Sequence, residues 1–348
     1  MFQSFFGLRE QPFGVTPDPR YLYLGPGHRE ALASLIYGLE ANRGFLALIA
    51  KPGMGKTTLL FHLLERFHDT ARTAFVFQTQ CNSREFMRFL LSELGLESQE
   101  TDFVRMHEQF NRCLVQEARA GRKFLIVVDE AQNLDASVLE TVRLLSDFET
   151  PKSKLVQIIL AGQPQLADKL ASPELSQLRQ RVSSIIGLHP LSVSETGMFI
   201  EHRLKVAGYT GALPLFKADA TALICELSEG TPREINNYCF NSMSLAFAMK
   251  KRQVDTAMVH EVASDLDIQR LVTQRGRKGT SMRTAMATSG VEDPVNFATL
   301  RNLEPAAVEE SSPDGLSPAE AVKYLRSVTR LLKSWESSIN DPSSRRPM

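Results

Sequence analysis

Apolar positions follow two rhythms along the chain, and one gives way to the other near residue 192. Before that point, short apolar runs alternate with longer stretches of helical spacing. Runs at 45–49, 73–78, 123–128, 155–161 and 184–188 predict strands. The continuous Leu/Ile/Val of 123–128 is what a central parallel strand, covered on both faces, requires. Helical periodicity falls between the strands, at 28–39, 58–67, 83–94, 102–120 and 131–145. Strands separated by helices predict an α/β fold, a parallel sheet with helices on both faces. After residue 192 the pattern is purely helical, at 194–207, 219–227, 232–249 and 256–266, with Ser194 and Asp255 placed as N-caps. The expected organisation is an α/β core over 1–190 and a small all-α domain over 191–268.

The pattern changes again after Asp267. Residues 268–290 hold five basic residues and no acidic one, and 291–320 hold seven acidic residues against one basic, with four prolines. Such segments bury too little apolar surface to offset their ordering entropy, so 269–317 reads as a disordered linker. Within 318–340, Leu325, Val328, Leu332 and Trp335 recur at helical spacing among Lys323, Arg326, Arg330 and Lys333. An amphipathic helix with its own apolar stripe needs a surface, either its own domain, a partner or a membrane face.

Composition narrows the classes. The 348 residues carry 40 basic and 40 acidic side chains, so no global field argues for nucleic acid or an anionic membrane. Cys81, Cys113, Cys225 and Cys239 show no C-x-x-C spacing and read as buried free thiols of a reducing compartment. The N-terminus lacks a basic region followed by a cleavable apolar core, and no apolar stretch approaches a membrane span. A cytoplasmic chain without a transmembrane segment is expected.

Two motifs carry chemistry. The strand at 45–49 runs into Ala50-Lys51-Pro52-Gly53-Met54-Gly55-Lys56-Thr57-Thr58, a phosphate-sized loop followed by a helix. Backbone N–H groups of such a loop wrap a chain of phosphates, Lys56 faces the β/γ-phosphates, and the Thr57 hydroxyl suits Mg²⁺. The helix N-terminus adds its positive end. Ala50 stands where the pattern calls for glycine, a departure that a small side chain tolerates. The second motif closes the 123–128 strand with Asp129 and Glu130, at the strand end where ligands of open α/β sheets bind. There Asp129 would hold Mg²⁺ through water, and Glu130 would orient and polarise an attacking water. The bland alternative is an acidic pair that caps the next helix. The combination points to an ATP site with ATP and Mg²⁺ as its ligands.

Ordered blocks along the chain then resemble a family. They are Phe6-Gly7-Leu8, Pro12-Phe13, residues 17–24, His28-Arg29-Glu30-Ala31-Leu32, residues 129–134, Ala161-Gly162-Gln163-Pro164-Gln165-Leu166, residues 178–182 and residues 230–236. Over roughly 1–268 the chain resembles AAA+ ATPases of the general secretion pathway A group, with relatives in pilus biogenesis and polysaccharide loci. The resemblance implies a P-loop NTPase core with a helical lid. It places Gln163 at the sensor-1 position, reaching the γ-phosphate or the attacking water, and Arg233 at the sensor-2 position on phosphate oxygens. It makes Arg179 or Arg181 the arginine that enters a neighbouring subunit's site. Both arginines have the alternative of being solvated surface charges. It sets Tyr23, Leu24 and His28 beside the adenine ring.

What the resemblance implies overall is hydrolysis by in-line attack on the γ-phosphate, in a homo-oligomer. The associated role is a motor or switch helping to assemble an envelope secretion, pilus or polysaccharide-export system through a protein partner; members of the secretion group usually carry a transmembrane segment and a peptidoglycan-binding region after the ATPase. This sequence carries a polar tail there, which argues against a direct cell-wall role. A DNA-associated AAA+ switch, compatible with the basic stretch 270–283, and a regulatory ATP-binding module are the alternatives.

Overall fold

The computed structural model describes residues 2–14, 16–77, 79–96, 102–150 and 153–266. The linker expected at 269–317 and the helix expected at 318–340 lie outside the described residues. Five parallel strands form the sheet: β1 (Phe45–Ile49), β2 (Ala71–Val76), β3 (Lys123–Val128), β6 (Val156–Gly162) and β7 (Val182–Gly187), in the order β2-β3-β6-β1-β7. A two-stranded hairpin, β4 (Glu149–Thr150) with β5 (Ser153–Lys154), precedes β6 and has no counterpart in the sequence expectation.

The unbroken apolar runs are explained by two cores rather than one. Phe124, Ile126 and Val128 of β3 belong to one core, while Leu125 and Val127 belong to the other. The same division splits Val156, Ile158 and Leu160 from Ile159 and Ala161 in β6, and Phe45 and Ala47 from Leu46 and Leu48 in β1. Side chains alternate between the faces of a strand, so a strand covered on both faces must be apolar at every position. On one face lie α2 (Pro26–Glu40) and α3 (Lys56–Phe67). On the other lie α4 (Ser83–Glu93), α5 (Phe103–Arg119), α6 (Ala136–Leu145), α7 (Pro164–Ala171) and α8 (Ser176–Arg181). β7, at the sheet edge, alternates instead, with Ile185 exposed and Ile186 buried.

Helix ends follow local chemistry. Asn82 and Glu85 form a capping box at α4, and the Asp102 side chain accepts from the Val104 N–H at α5. The first helix of the all-α domain, α9 (Val193–Val206), is capped by Ser192, not by Ser194 as expected. Ser192 has Glu195 three residues on, and the two complete a reciprocal box that Ser194 cannot. α10 (Ala218–Leu227), α11 (Pro232–Ala248) and a helical run over 256–266 follow, and Asp255 accepts from the Met258 N–H as the expected cap.

Two expectations change. The helix expected at 131–145 is a single 3-10 turn, Ala131–Asn133, followed by a break and then α6. Lys169 Nζ takes the carbonyls of Gln132 and Leu134, at 2.8 and 2.7 Å, so those acceptors do not serve a helix. The N-terminal segment, expected with the α/β core, packs on the helical domain. The short helix α1 (Phe2–Phe6) and Leu8, Phe13 and Tyr21 share one core with Phe199, Ile200 and Tyr238. Arg203 fastens it by donating from Nε to the Pro12 carbonyl at 2.6 Å, with its guanidinium 4.8 Å from the Tyr21 ring centroid.

Within the all-α domain, the turn between α10 and α11 packs against Leu191 at the domain's start. Gly230 has φ +64°, its carbonyl accepts from the Leu191 N–H at 2.9 Å, and an added Cβ would clash with the Leu191 carbonyl oxygen. Gly230→Ala is therefore expected to destabilise the fold by at least about 2 kcal/mol in denaturant unfolding. Gly27→Ala, in α2 with open space around it, should be neutral or stabilising by up to about 1 kcal/mol.

Candidate functional site

β1, β6 and β3 are neighbours and end at one level, with Ile49 opposite Gly162 and Val128 opposite Leu160. The chain leaves the sheet at Ala50, Asp129 and Gln163, so these residues are brought together by strand pairing alone. Ala50 is buried, and its N–H donates to the Gly162 carbonyl at 3.1 Å. Lys56 folds back over the loop, donating from Nζ to the Ala50 carbonyl at 3.1 Å and the Lys51 carbonyl at 3.5 Å. Position 50 thus contributes its backbone, which is why alanine serves there. His28 Nε2 lies 3.0 Å from the Met54 carbonyl and ties α2 to the loop.

Asp129 is the loop's counterpart across the sheet. Its Oδ2 accepts from the Thr57 hydroxyl at 2.6 Å, and its Oδ1 accepts from the Glu130 N–H at 2.9 Å. Burial pushes its carboxyl above the usual Asp range, and the two hydrogen bonds oppose that only in part. Glu130 sits in the left-handed region at φ +51°, and its Oε2 accepts from Gln132 Nε2 at 2.6 Å and Gln163 Nε2 at 3.0 Å. A left-handed glutamate is an unusual conformation, held here by its neighbours.

The all-α domain reaches the loop through its backbone. The Arg233 N–H, at the start of α11, donates to the Gly53 carbonyl at 3.1 Å. Gly53 has φ +79°, and a Cβ there would lie 2.7 Å from Arg233 Cβ, so only glycine permits this approach.

A cavity of about 390 Å³ lies over these groups. Pro52 to Thr58, Glu130 and Gln163 line one side. Pro232, Arg233 and Asn236 line another, and Tyr21, Leu22, Tyr23, Leu191, Phe199 and Arg203 a third. Its size suits a small-molecule ligand. Among the described residues no cluster of three His, Cys, Asp or Glu side chains could hold a metal by itself. The hydroxyl of Thr57 and the carboxylate of Asp129 are hard oxygen donors, which fits Mg²⁺ shared with phosphate oxygens and water.

The AAA domain family matches residues 39–170. The chain is 36% identical over 255 residues to General secretion pathway protein A of Aeromonas hydrophila, covering 73% of this chain and 46% of that protein. It therefore spans about half the length of that relative. It is 31% identical over 161 residues to an uncharacterized HTH-type transcriptional regulator of Methanocaldococcus jannaschii, covering 44% of this chain and 38% of that protein. In fold it is similar to the ORC2 protein of Aeropyrum pernix, at a TM-score of 0.58 and 16% identity, covering 74% of this chain and 71% of that one. Cdc6p of Pyrobaculum aerophilum is similar at 0.58 and 17%, with 73% and 70% covered. The chain carries an AAA domain on an AAA+ P-loop fold.

Most residues expected at an AAA+ nucleotide site do converge. Pro52, Gly53, Met54, Gly55, Lys56, Thr57, Thr58, Glu130, Gln163, Arg233, Tyr23 and His28 all line the cavity. Ala50 and Lys51 lie behind it as acceptors for Lys56, and Asp129 lies behind Thr57. Arg179 and Arg181 are not among the lining residues. They end α8: Arg181 pairs with Asp147 at 2.6 Å, and Arg179 donates to the Ala171 carbonyl at 3.1 Å. Sequence reasoning missed Gln132, Arg203, Phe199 and Asn236. Arg203 is buried, and desolvation lowers its pKa to about 10. No local pattern marks it, since its partners Pro12 and Tyr21 are far away in the chain.

The buried Asp129 yields a test of the site's electrostatics. Its raised folded pKa means that ionisation costs stability, a cost absent below the unfolded carboxylate pKa and present once pH has risen through the folded value. At pH 7, Asp129→Asn should raise the thermal midpoint of the nucleotide-free protein. The gain should shrink as pH falls into the carboxylate range.

Proposed function

We propose that the chain binds ATP with Mg²⁺ and hydrolyses it at this cavity. The reading is carried by one observation: the phosphate loop, the Glu130–Gln163 pair and the lid's Arg233 line a single cavity. Thr57 and Asp129 would hold Mg²⁺, which when bound neutralises phosphate charge. Lys56 and Arg233 would bind and orient phosphate oxygens, as point charge and fork. Glu130 would polarise the attacking water, with Gln163 orienting it or the γ-phosphate. Tyr23 would flank the base, while His28 holds the loop through Met54.

Lys56→Ala should lose ATP binding in calorimetry. Glu130→Gln should keep binding while turnover falls at least about 10²-fold. Normal turnover by Glu130→Gln would sink the assignment.

Arg179 and Arg181 lie outside the cavity of their own chain, which supports a role in a neighbouring subunit's site. In a homo-oligomer of that kind the ATPase rate per protomer rises with protein concentration. Arg179→Ala or Arg181→Ala should lower it by about 10³-fold or more, whichever reaches the neighbour. A rate flat from nanomolar to micromolar protein would count against it.

Similarity to General secretion pathway protein A supports a motor or switch that serves an envelope assembly system in the cytoplasm or at the inner membrane, through a protein partner. Among the described residues no helix is long and apolar enough to cross a membrane. Glu130→Gln protein trapped with ATP should co-purify with an inner-membrane assembly protein. Salt-sensitive DNA binding that stimulates hydrolysis would favour the nucleic-acid role instead.

A further inference from the structure

We propose that Gln132 is a positioning residue for catalysis, one that holds Glu130 and the start of α7 in fixed relation. The proposal rests on the reading of Glu130 as the water-polarising carboxylate. Gln132 uses both ends of its side-chain amide. Nε2 donates to Glu130 Oε2 at 2.6 Å, and Oε1 accepts from the Gln163 N–H at 3.0 Å. Gln163 closes the ring by donating from its own Nε2 to the same Glu130 oxygen at 3.0 Å. The reverse amide orientation would set oxygen against carboxylate and NH₂ against N–H, so the chemistry of the partners fixes it.

Two further features serve this arrangement. A Cβ at Gly162 would lie 2.7 Å from Gln132 Oε1, so glycine at the end of β6 leaves room for that oxygen. Lys169 Nζ holds the Gln132 and Leu134 carbonyls and so anchors the turn that presents the amide. Glu130 and Gln163 line the cavity while Gln132 does not, so Gln132 acts through them. Glu130 is the left-handed N-cap of the single turn Ala131–Asn133, and the amide adds a constraint on the direction of its side chain. Misplacement of a reacting group by about 1 Å costs on the order of 10²-fold in rate.

The test compares Gln132→Met, which removes both hydrogen bonds, with Gln132→Glu, which keeps the acceptor and sets a second carboxyl group beside Glu130. Steady-state ATPase kinetics, calorimetry with the non-hydrolysable analogue ADPNP and thermal melts are measured on the full chain. The expected result is a kcat lower by about 10²-fold in both variants, with KM and ADPNP affinity within about threefold of the parent. Unchanged kcat in either folded variant overturns the proposal. So does an equal loss of ADPNP affinity or a failure of both variants to fold, each of which marks a structural role. Glu130→Gln, measured alongside, separates the two readings. If it turns over normally, the role of Glu130 falls and this inference with it. If it is inactive while Gln132→Met matches the parent, only the inference falls.

Discussion

Everything at the site depends on the requirement that a sheet buried on both faces satisfy its backbone through its own ladder. β1, β6 and β3 meet it by pairing in parallel and in register, and parallel register makes their carboxyl ends coincide. Beyond the last ladder bonds the chain is free to turn. The first residues it releases are Ala50, Gln163 and Asp129. Even there the backbone remains tied, since Ala50 donates to Gly162 and Asp129 donates to Val76. The side chains are thereby aimed by strands instead of by loose loops.

The second constraint is charge placed where water is scarce. Lys56, Asp129 and Arg203 are all buried, and each is accommodated differently. Lys56 spends its donors on loop carbonyls, Asp129 accepts from a hydroxyl and a backbone amide, and Arg203 combines one carbonyl with two aromatic faces. Among the described residues none of the three forms a close ion pair, so burial costs stability that a rigid surround must offset. The all-α domain contributes to that surround. Arg233 touches the loop at Gly53, and Arg203 fastens the N-terminal segment to the helices, so loop, helices and N-terminal segment line the cavity together.

Much of this was legible in the chain. The apolar runs located all five strands of the main sheet, and α2 to α5 and α9 to α11 were found to within a few residues, because both signals are local and repeat. The short helices α1, α7 and α8 were not anticipated. The phosphate loop and the acidic pair were legible because their chemistry needs consecutive residues. The break between Ala131 and α6 was not, because it is imposed by Lys169 from another helix. The N-terminal segment looked like part of the core by position, yet its phenylalanines found their partners in α9 and α11. Ser194 and Ser192 both suit an N-cap, and the distinction lay in the spacing to Glu195.

The sequence by itself determined the five strands of the main sheet, the longer helices, the loop that ends Gly55-Lys56-Thr57 and the carboxylates that close β3. These rest on periodicity and on neighbours in the chain. Tertiary structure alone decided that Gln132 would reach both Glu130 and Gln163, that Arg203 would sit buried against Tyr21, and that Arg181 would turn to Asp147. All but the Gln132–Glu130 bond are contacts between segments distant in sequence. Strand register and helix packing fix such distances, and no local pattern of residues encodes them.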